Sequence, residues 1–284
     1  LQLDRVYDLL TATEKLGTVT DLPLENSRGV LLGGGLPTGM QLSLSEVSYQ
    51  YPTHERPTLD RMSLEVPAGA RIALIGLPGS GKTTFLRLLT GLLHNYQGAV
   101  QIDGISLRDM NTASLRDQVG QAMVTDQLFD GTIAENISLG KYRTSMTDIN
   151  WAIENAGLSS FVRKQPYGLH TGVIGDGHQL PASIVRRIVL ARALAERPRL
   201  LLLDEGFLSP EPYENNPLLR LLLDKQVPWT ALVATTHPDY LEHCDKLLIL
   251  EDGHRSFYGS LSELRSNERL CELIRAHTGS SAVS

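Results

Sequence analysis

Three stretches of this 284-residue chain carry residues whose types and spacing suit phosphate chemistry. Gly76-Leu77-Pro78-Gly79-Ser80-Gly81-Lys82-Thr83 fits the pattern G-x-x-x-x-G-K-[ST], and Thr84 extends it. Glycines there let backbone N–H groups converge on phosphate oxygens, and a helix start adds partial positive charge. A lysine reaches the β and γ phosphates of ATP, and a threonine hydroxyl ligates Mg²⁺. Leu200 to Leu203 followed by Asp204 and Glu205 is an apolar strand ending in two carboxylates. That arrangement puts an aspartate beside the Mg²⁺ shell and a glutamate beside an attacking water. His237 follows a third apolar run that ends near Thr235. Taken singly, these stretches also read as a glycine-rich turn beside a surface lysine, a strand capped by solvated acids, and a structural histidine.

The elements that must position these residues follow from periodicity. Arg71 to Ile75 reads as a short buried strand, and Phe85, Leu88, Leu89 and Leu92 after the loop have helical spacing. Strand, loop and helix together predict an α/β core. Upstream, Leu42, Leu44, Val47 and Tyr49 alternate with polar residues, as do Met62, Leu64 and Val66. Two half-buried strands are expected, a small antiparallel sheet closed by a turn at Pro67-Ala68-Gly69. From about Thr132 to Ala195 the pattern is helical, so a mostly helical insert is expected in the long stretch between Lys82 and Asp204. The runs at 200–203, 230–235 and 246–250 restore the α/β rhythm, and the last helices are expected near Leu261 and Leu270. Leu3, Val6, Tyr7 and Leu10 predict a short amphipathic helix, and Gly17 to Met40, with Gly33-Gly34-Gly35, reads as linker.

Composition narrows the classes. With 42% hydrophobic and 20% charged residues and a mean hydropathy of -0.10, the chain has enough apolar side chains for a sizeable core. A net charge of -6 provides no global field for a polyanion, so nucleic acid is not the expected partner. Cys244 and Cys271 fit neither a disulfide framework nor a metal-ligand spacing, which suits a reducing, cytosolic setting. No apolar run approaches the roughly 20 residues of a spanning helix. The start at Leu1 predicts a fragment of a longer protein.

Together the loop at Gly76, the strand at Leu200 and His237 make the chain resemble the nucleotide-binding domain of ABC transporters, over about Leu42 to Leu264. The resemblance implies a P-loop NTPase (RecA-like) α/β core with an antiparallel β subdomain and an inserted helical subdomain. Its implied layout is a linker over 1–38 and an ATP-binding domain over 39–284, with the helical insert at about 125–195. Tyr51, in Val47-Ser48-Tyr49-Gln50-Tyr51-Pro52, matches the aromatic that stacks on adenine, with a strand-end tyrosine as the alternative. Leu128-Phe129-Asp130-Gly131-Thr132-Ile133 with Glu135-Asn136-Ile137 looks like the segment of exporter-type members. Leu3 to Leu10 resembles the join between the last membrane helix and the ATPase domain. ATP and Mg²⁺ would then be held by Tyr51, Gly76, Leu77, Pro78, Gly79, Ser80, Gly81, Lys82, Thr83, Thr84 and Asp204, with Thr83 and Asp204 on the metal. Glu205 would polarise the attacking water and His237 would hold the γ phosphate. The implied partners are a membrane-spanning domain upstream of Leu1 and a second ATP-binding domain, identical or paralogous. The implied location is the cytoplasmic face of the cell membrane, as part of an integral membrane transporter, the fragment itself being soluble.

Departures from the family pattern matter as much. Its signature, Leu-Ser-Gly-Gly-Gln, falls on Leu180-Pro181-Ala182-Ser183-Ile184, ahead of the well-matched helix from Arg187 to Leu194. Pro181 has neither hydroxyl nor N–H, and the Cβ atoms of Ala182 and Ser183 obstruct close approach. The γ-phosphate-sensing glutamine falls on Val124, with Gln121 and Gln127 nearby in shifted registers. Leu208-Ser209-Pro210-Glu211 replaces the usual Ser-Ala-Leu-Asp. The leading reading is the ATP-hydrolysing motor domain of an exporter that works as a head-to-tail dimer. A second reading is an ATP-binding regulatory or assembly module with little hydrolysis, and a P-loop kinase is a distant third.

Overall fold

Alternating apolar and polar side chains let β1 (Leu42–Tyr49) bury one face in the computed structural model, which describes residues 29–33, 38–267 and 269. β1 pairs antiparallel with β2 (Leu59–Val66) on one side and with β4 (Gln97–Ile102) on the other, and β4 carries β5 (Ile105–Ser106). A second sheet of six strands has β3 (Arg71–Ile75) near its centre, between β10 (Thr230–Ala234) and β11 (Lys246–Glu251). β9 (Leu200–Leu203) and β6 (Val119–Ala122) continue it in parallel beyond β10, and β12 (His254–Gly259) closes the other edge antiparallel to β11.

The continuous apolar runs of β3, β9 and β10 have a physical reason: both faces of this sheet are covered. Leu200 and Leu202 join Ile72, Leu74, Leu232 and Leu248 in a core with the small sheet and α1 (Lys82–Leu89). Leu201 and Leu203 point the other way, into a core with the helices that follow. These include α3 (Ile133–Ser138), α4 (Met146–Asn155) and α6 (Ala182–Leu194); α2 (Thr112–Arg116) precedes them and α5 (Ser159–Lys164) lies among them. α7 (Pro217–Leu223), α8 (Pro238–His243) and α9 (Leu261–Arg265) complete the second layer.

Arg71 is the one core position of β3 that carries charge, and it is 1% exposed. Its guanidinium donates to the carbonyls of Gly69, Leu222, Asp224, Val227 and Trp229, fastening the chain between α7 and β10. Burial pushes its pKa down.

Several expectations change. The turn at Pro67 to Gly69 leads from β2 into the other sheet, while β1 and β2 are joined by the loop over 50–58. Leu92 lies beyond α1 and is 45% exposed. The helical insert also contains a short two-stranded antiparallel sheet, β7 (Gly131–Thr132) with β8 (Gly172–Val173). Residues 29–33, read as linker, are part of the domain: Val30 bridges Met110, and Leu32 is buried with its N–H on Ser114 Oγ at 2.8 Å. Isolated strands of one or two residues carry no periodicity by which sequence reveals them. The predicted helix at Leu3 to Leu10, most of the linker, Leu270 and Cys271 lie outside the described residues.

Candidate nucleotide-binding site

The loop between β3 and α1 is close-packed from behind. A Cβ at Gly76 would lie 2.5 Å from both the Leu250 carbonyl oxygen and Ser80 Oγ, so only glycine fits. Gly81 sits at φ +98° against the Thr58 carbonyl and opens α1 without any side-chain cap. The first-turn N–H groups of α1 therefore face the loop's mouth, the arrangement that binds phosphate oxygens. The turn between β11 and β12 braces the loop, since Gly253 N–H donates to Ser80 O at 3.2 Å.

Lys82 is 6% exposed, and its Nζ donates to Gly76 O at 2.5 Å and Leu77 O at 2.9 Å. The same Nζ lies 3.2 Å from Glu205 Oε1, whose side chain is half exposed. Thr83 Oγ1 donates to Asp204 Oδ2 at 3.0 Å, joining the phosphate loop to the end of β9. Asp204 is buried, its N–H bonded to Ala122 O and its Oδ1 accepting from Glu205 N. A hydroxyl and a carboxylate side by side form a donor set that suits a magnesium ion, which takes a few protein oxygens and completes its shell with phosphates and water.

A cleft of about 530 Å³ opens between Gly76, Pro78, Glu205, Thr235 and His237. His237 Nε2 is 3.0 Å from Glu211 O, and its Nδ1 is buried without a hydrogen-bond partner. Tyr51 stands at the other end of the loop, its Oη 3.3 Å from Thr84 Oγ1. The structure thus gathers Gly76 to Thr84, Asp204, Glu205 and His237 about one loop and its cleft, with Tyr51 on the adjoining flank.

The segments that depart from the family pattern are well defined. Pro181 is the N-cap of α6 and supplies no side-chain cap bond, while Ala182 and Ser183 are exposed beside it. Val124 is 54% exposed at the tip of a turn. Asp126 Oδ2 accepts from Met123 N at 2.9 Å to close that turn, and Arg87 of α1 holds Thr125 at 3.0 Å. Burial, aided by the charge of Asp204, pushes the Asp126 carboxyl above its ordinary value. Gln121 belongs to β6, where its Oε1 is buried without a partner, and Gln127 offers its carbonyl to Arg192.

Sequence reasoning gave Arg192 no role and named Asn136 only within the exporter-like segment. Arg192 Nε and Nη2 donate to Asn136 O and Oδ1, and the fully buried Asn136 in turn bonds both backbone groups of Phe129. This network ties α6 to the segment after Val124. The charge of Arg192 within the otherwise apolar stretch Ile188 to Leu194 was the available signal.

The comparisons with known proteins agree with this geometry. A family model described as ABC transporter matches residues 59–207. An ATP-dependent lipid A-core flippase of Photorhabdus laumondii is 32% identical over 272 residues, covering 95% of this chain and 46% of the flippase. A multidrug efflux ATP-binding/permease protein of Mycobacterium bovis is 33% identical over 254 residues, covering 88% of this chain and 21% of that protein. The structure of a bacterial Atm1-family ABC exporter with ATP bound aligns with a TM-score of 0.83 at 25% identity, over 96% of this chain and 48% of the exporter. The chain thus spans about half the length, or less, of these relatives.

Proposed function

The chain belongs to the ABC transporter family, as an ATP-binding domain with exporter relatives, and from that premise we propose that it binds ATP with Mg²⁺ and hydrolyses it to drive a membrane-spanning partner. The observation that carries this reading is the Thr83 to Asp204 hydrogen bond at 3.0 Å, which brings the hydroxyl and the carboxylate to one point beside Lys82. Thr83 and Asp204 would hold the magnesium ion, which supplies charge neutralisation for the phosphates. Lys82 and the first-turn N–H groups of α1 bind the β and γ phosphates. Tyr51 stacks on the base.

Hydrolysis asks for a base at the mouth of the cleft. Glu205 accepts a proton from the attacking water as the new bond to γ-phosphorus forms and the bond to the bridging oxygen breaks, releasing ADP. His237 orients the γ phosphate from across the cleft. The signature surface at Pro181 to Ile184 meets the second ATP-binding domain, where it would face that domain's nucleotide.

A second reading, an ATP-binding module that turns over little, is favoured by Pro181 at the α6 N-cap and by exposed Val124. Phosphate release from ATP, measured beside phosphate transfer to other acceptors, tests both. Release abolished by Glu205→Gln supports the motor. ATP binding without release supports the module, and loss of binding refutes both.

A further inference from the structure

We infer that His54 and Thr84 are positioning residues that hold the Tyr51 ring as the platform for the base, making base and phosphate recognition one hydrogen-bonded unit; this rests on the nucleotide-site reading above. Two rings pack on Tyr51 in T-shaped arrangements. Tyr49 lies 5.0 Å away at 88° and His54 lies 5.3 Å away at 64°. Contacts at such steep angles hold the plane of the Tyr51 ring against its neighbours.

The loop that carries Tyr51 is closed largely by its own hydrogen bonds. His54 N–H donates to Tyr51 O at 3.0 Å, and Thr58 N–H donates to Tyr49 O at 2.8 Å. Gln50 Nε2 donates to His54 O at 2.6 Å, and His54 Nδ1 is 3.2 Å from Thr58 Oγ1. His54 is therefore bonded through its N–H, its carbonyl and its ring, and the same ring packs on Tyr51.

Two ties join this loop to the phosphate loop. One is the packing of Gly81 on the Thr58 carbonyl. The other is the Tyr51 Oη to Thr84 Oγ1 hydrogen bond, on a threonine that is 6% exposed in the first turn of α1. A hydroxyl that accepts from the phenol keeps its own hydrogen, which it can donate to a phosphate oxygen. Thr84 then serves base platform and phosphate together.

The experiment compares the affinities of the chain for Mg-ATP and for magnesium tripolyphosphate, which has the phosphates without the base. His54→Ala and Tyr51→Phe are each expected to weaken ATP binding by about two- to tenfold, the size of an aromatic pair or one hydrogen bond, with tripolyphosphate binding unmoved. His54→Phe, which keeps an aromatic ring against Tyr51, is expected to restore ATP binding. Equal weakening of both ligands by His54→Ala would mean general damage and overturn the inference. So would unchanged ATP binding in His54→Ala while Tyr51→Ala weakens it, which leaves the platform standing without its positioner. Unchanged ATP binding in Tyr51→Ala removes the platform itself, and with it this inference.

Discussion

Rebuilding the signature is the perturbation that asks most of the structure. The changes are Pro181→Ser, Ala182→Gly, Ser183→Gly and Ile184→Gln, at the exposed start of α6. Their effects on stability offset one another only in part. A serine at the N-cap, where Pro181 supplies no side-chain bond, adds about 1 kcal/mol. Two glycines in the first turn remove roughly 2 kcal/mol, and Ile184, only partly buried against the core, loses about 1 kcal/mol more as glutamine. A net loss of about 2 kcal/mol leaves the domain folded and lowers Tm by only a few degrees, about 4 to 8 °C for a domain of this size. The effect on rate is larger. A preorganised donor aimed at developing charge is worth on the order of 10² to 10³ in rate. Phosphate release at saturating ATP should therefore rise by about a hundredfold in a homodimer of the repaired chain, with nucleotide affinity little changed. In the proposed site ATP is gripped mainly by Gly76 to Thr84 of the same chain, so the two quantities separate. If the repaired chain dimerises with ATP and turns over no faster, the reasoning about Pro181 fails, and Val124 becomes the limiting departure.

Lys82→Ala removes a charge-assisted contact of about 1.5 to 3 kcal/mol, so calorimetry should show ATP affinity falling by about ten- to a hundredfold; an unchanged affinity would contradict the site. Glu205→Gln, expected to block turnover, should still sediment mainly as monomer with ATP, because Pro181 has no N–H or hydroxyl for a neighbour's nucleotide, and a tight ATP-dependent homodimer would contradict that. Hydrogen bonding to Arg143, with help from Lys141 and against the cost of burial, holds the Asp117 carboxyl below its ordinary range. Its stabilisation is complete above the unfolded-state pKa of about 3.9 and is lost as pH falls through the lower folded value. Thermal melts should thus show Asp117→Asn losing less stability than the parent between about pH 5 and pH 3.

The parts of this fold most legible in sequence are those whose pattern is local. Leu200 to Leu203 and Arg71 to Ile75 announce buried strands because sheets covered on both faces need uninterrupted apolar runs. The phosphate loop is legible because its glycines answer to backbone geometry at adjacent positions. β6 was missed because Val-Gly-Gln-Ala has no run and no alternation, and it is a strand only through its pairing with β9. β12 likewise takes its form from β11. In the site, Thr83 beside Asp204 followed from motif chemistry, whereas the His54 and Thr84 contacts with Tyr51 depend on how a nine-residue loop folds back, which no spacing reveals.

β3 feeds the phosphate loop, yet its neighbours in the sheet are β10 and β11, and the loop is braced by Leu250 and Gly253. During synthesis on the ribosome the loop therefore emerges early and its frame emerges late. Until β10 has been made β3 has two unpaired edges, until β11 has been made it has one, and until Gly253 the loop has no wall behind it. Nucleotide cannot stabilise the nascent domain before that point, so ligand binding reports completion of folding and does not assist its beginning. Pairings so distant in sequence also make for slow folding, with apolar strand edges exposed meanwhile. A nonsense truncation just before β11 should consequently yield a chain that contains every phosphate-binding residue and binds no nucleotide.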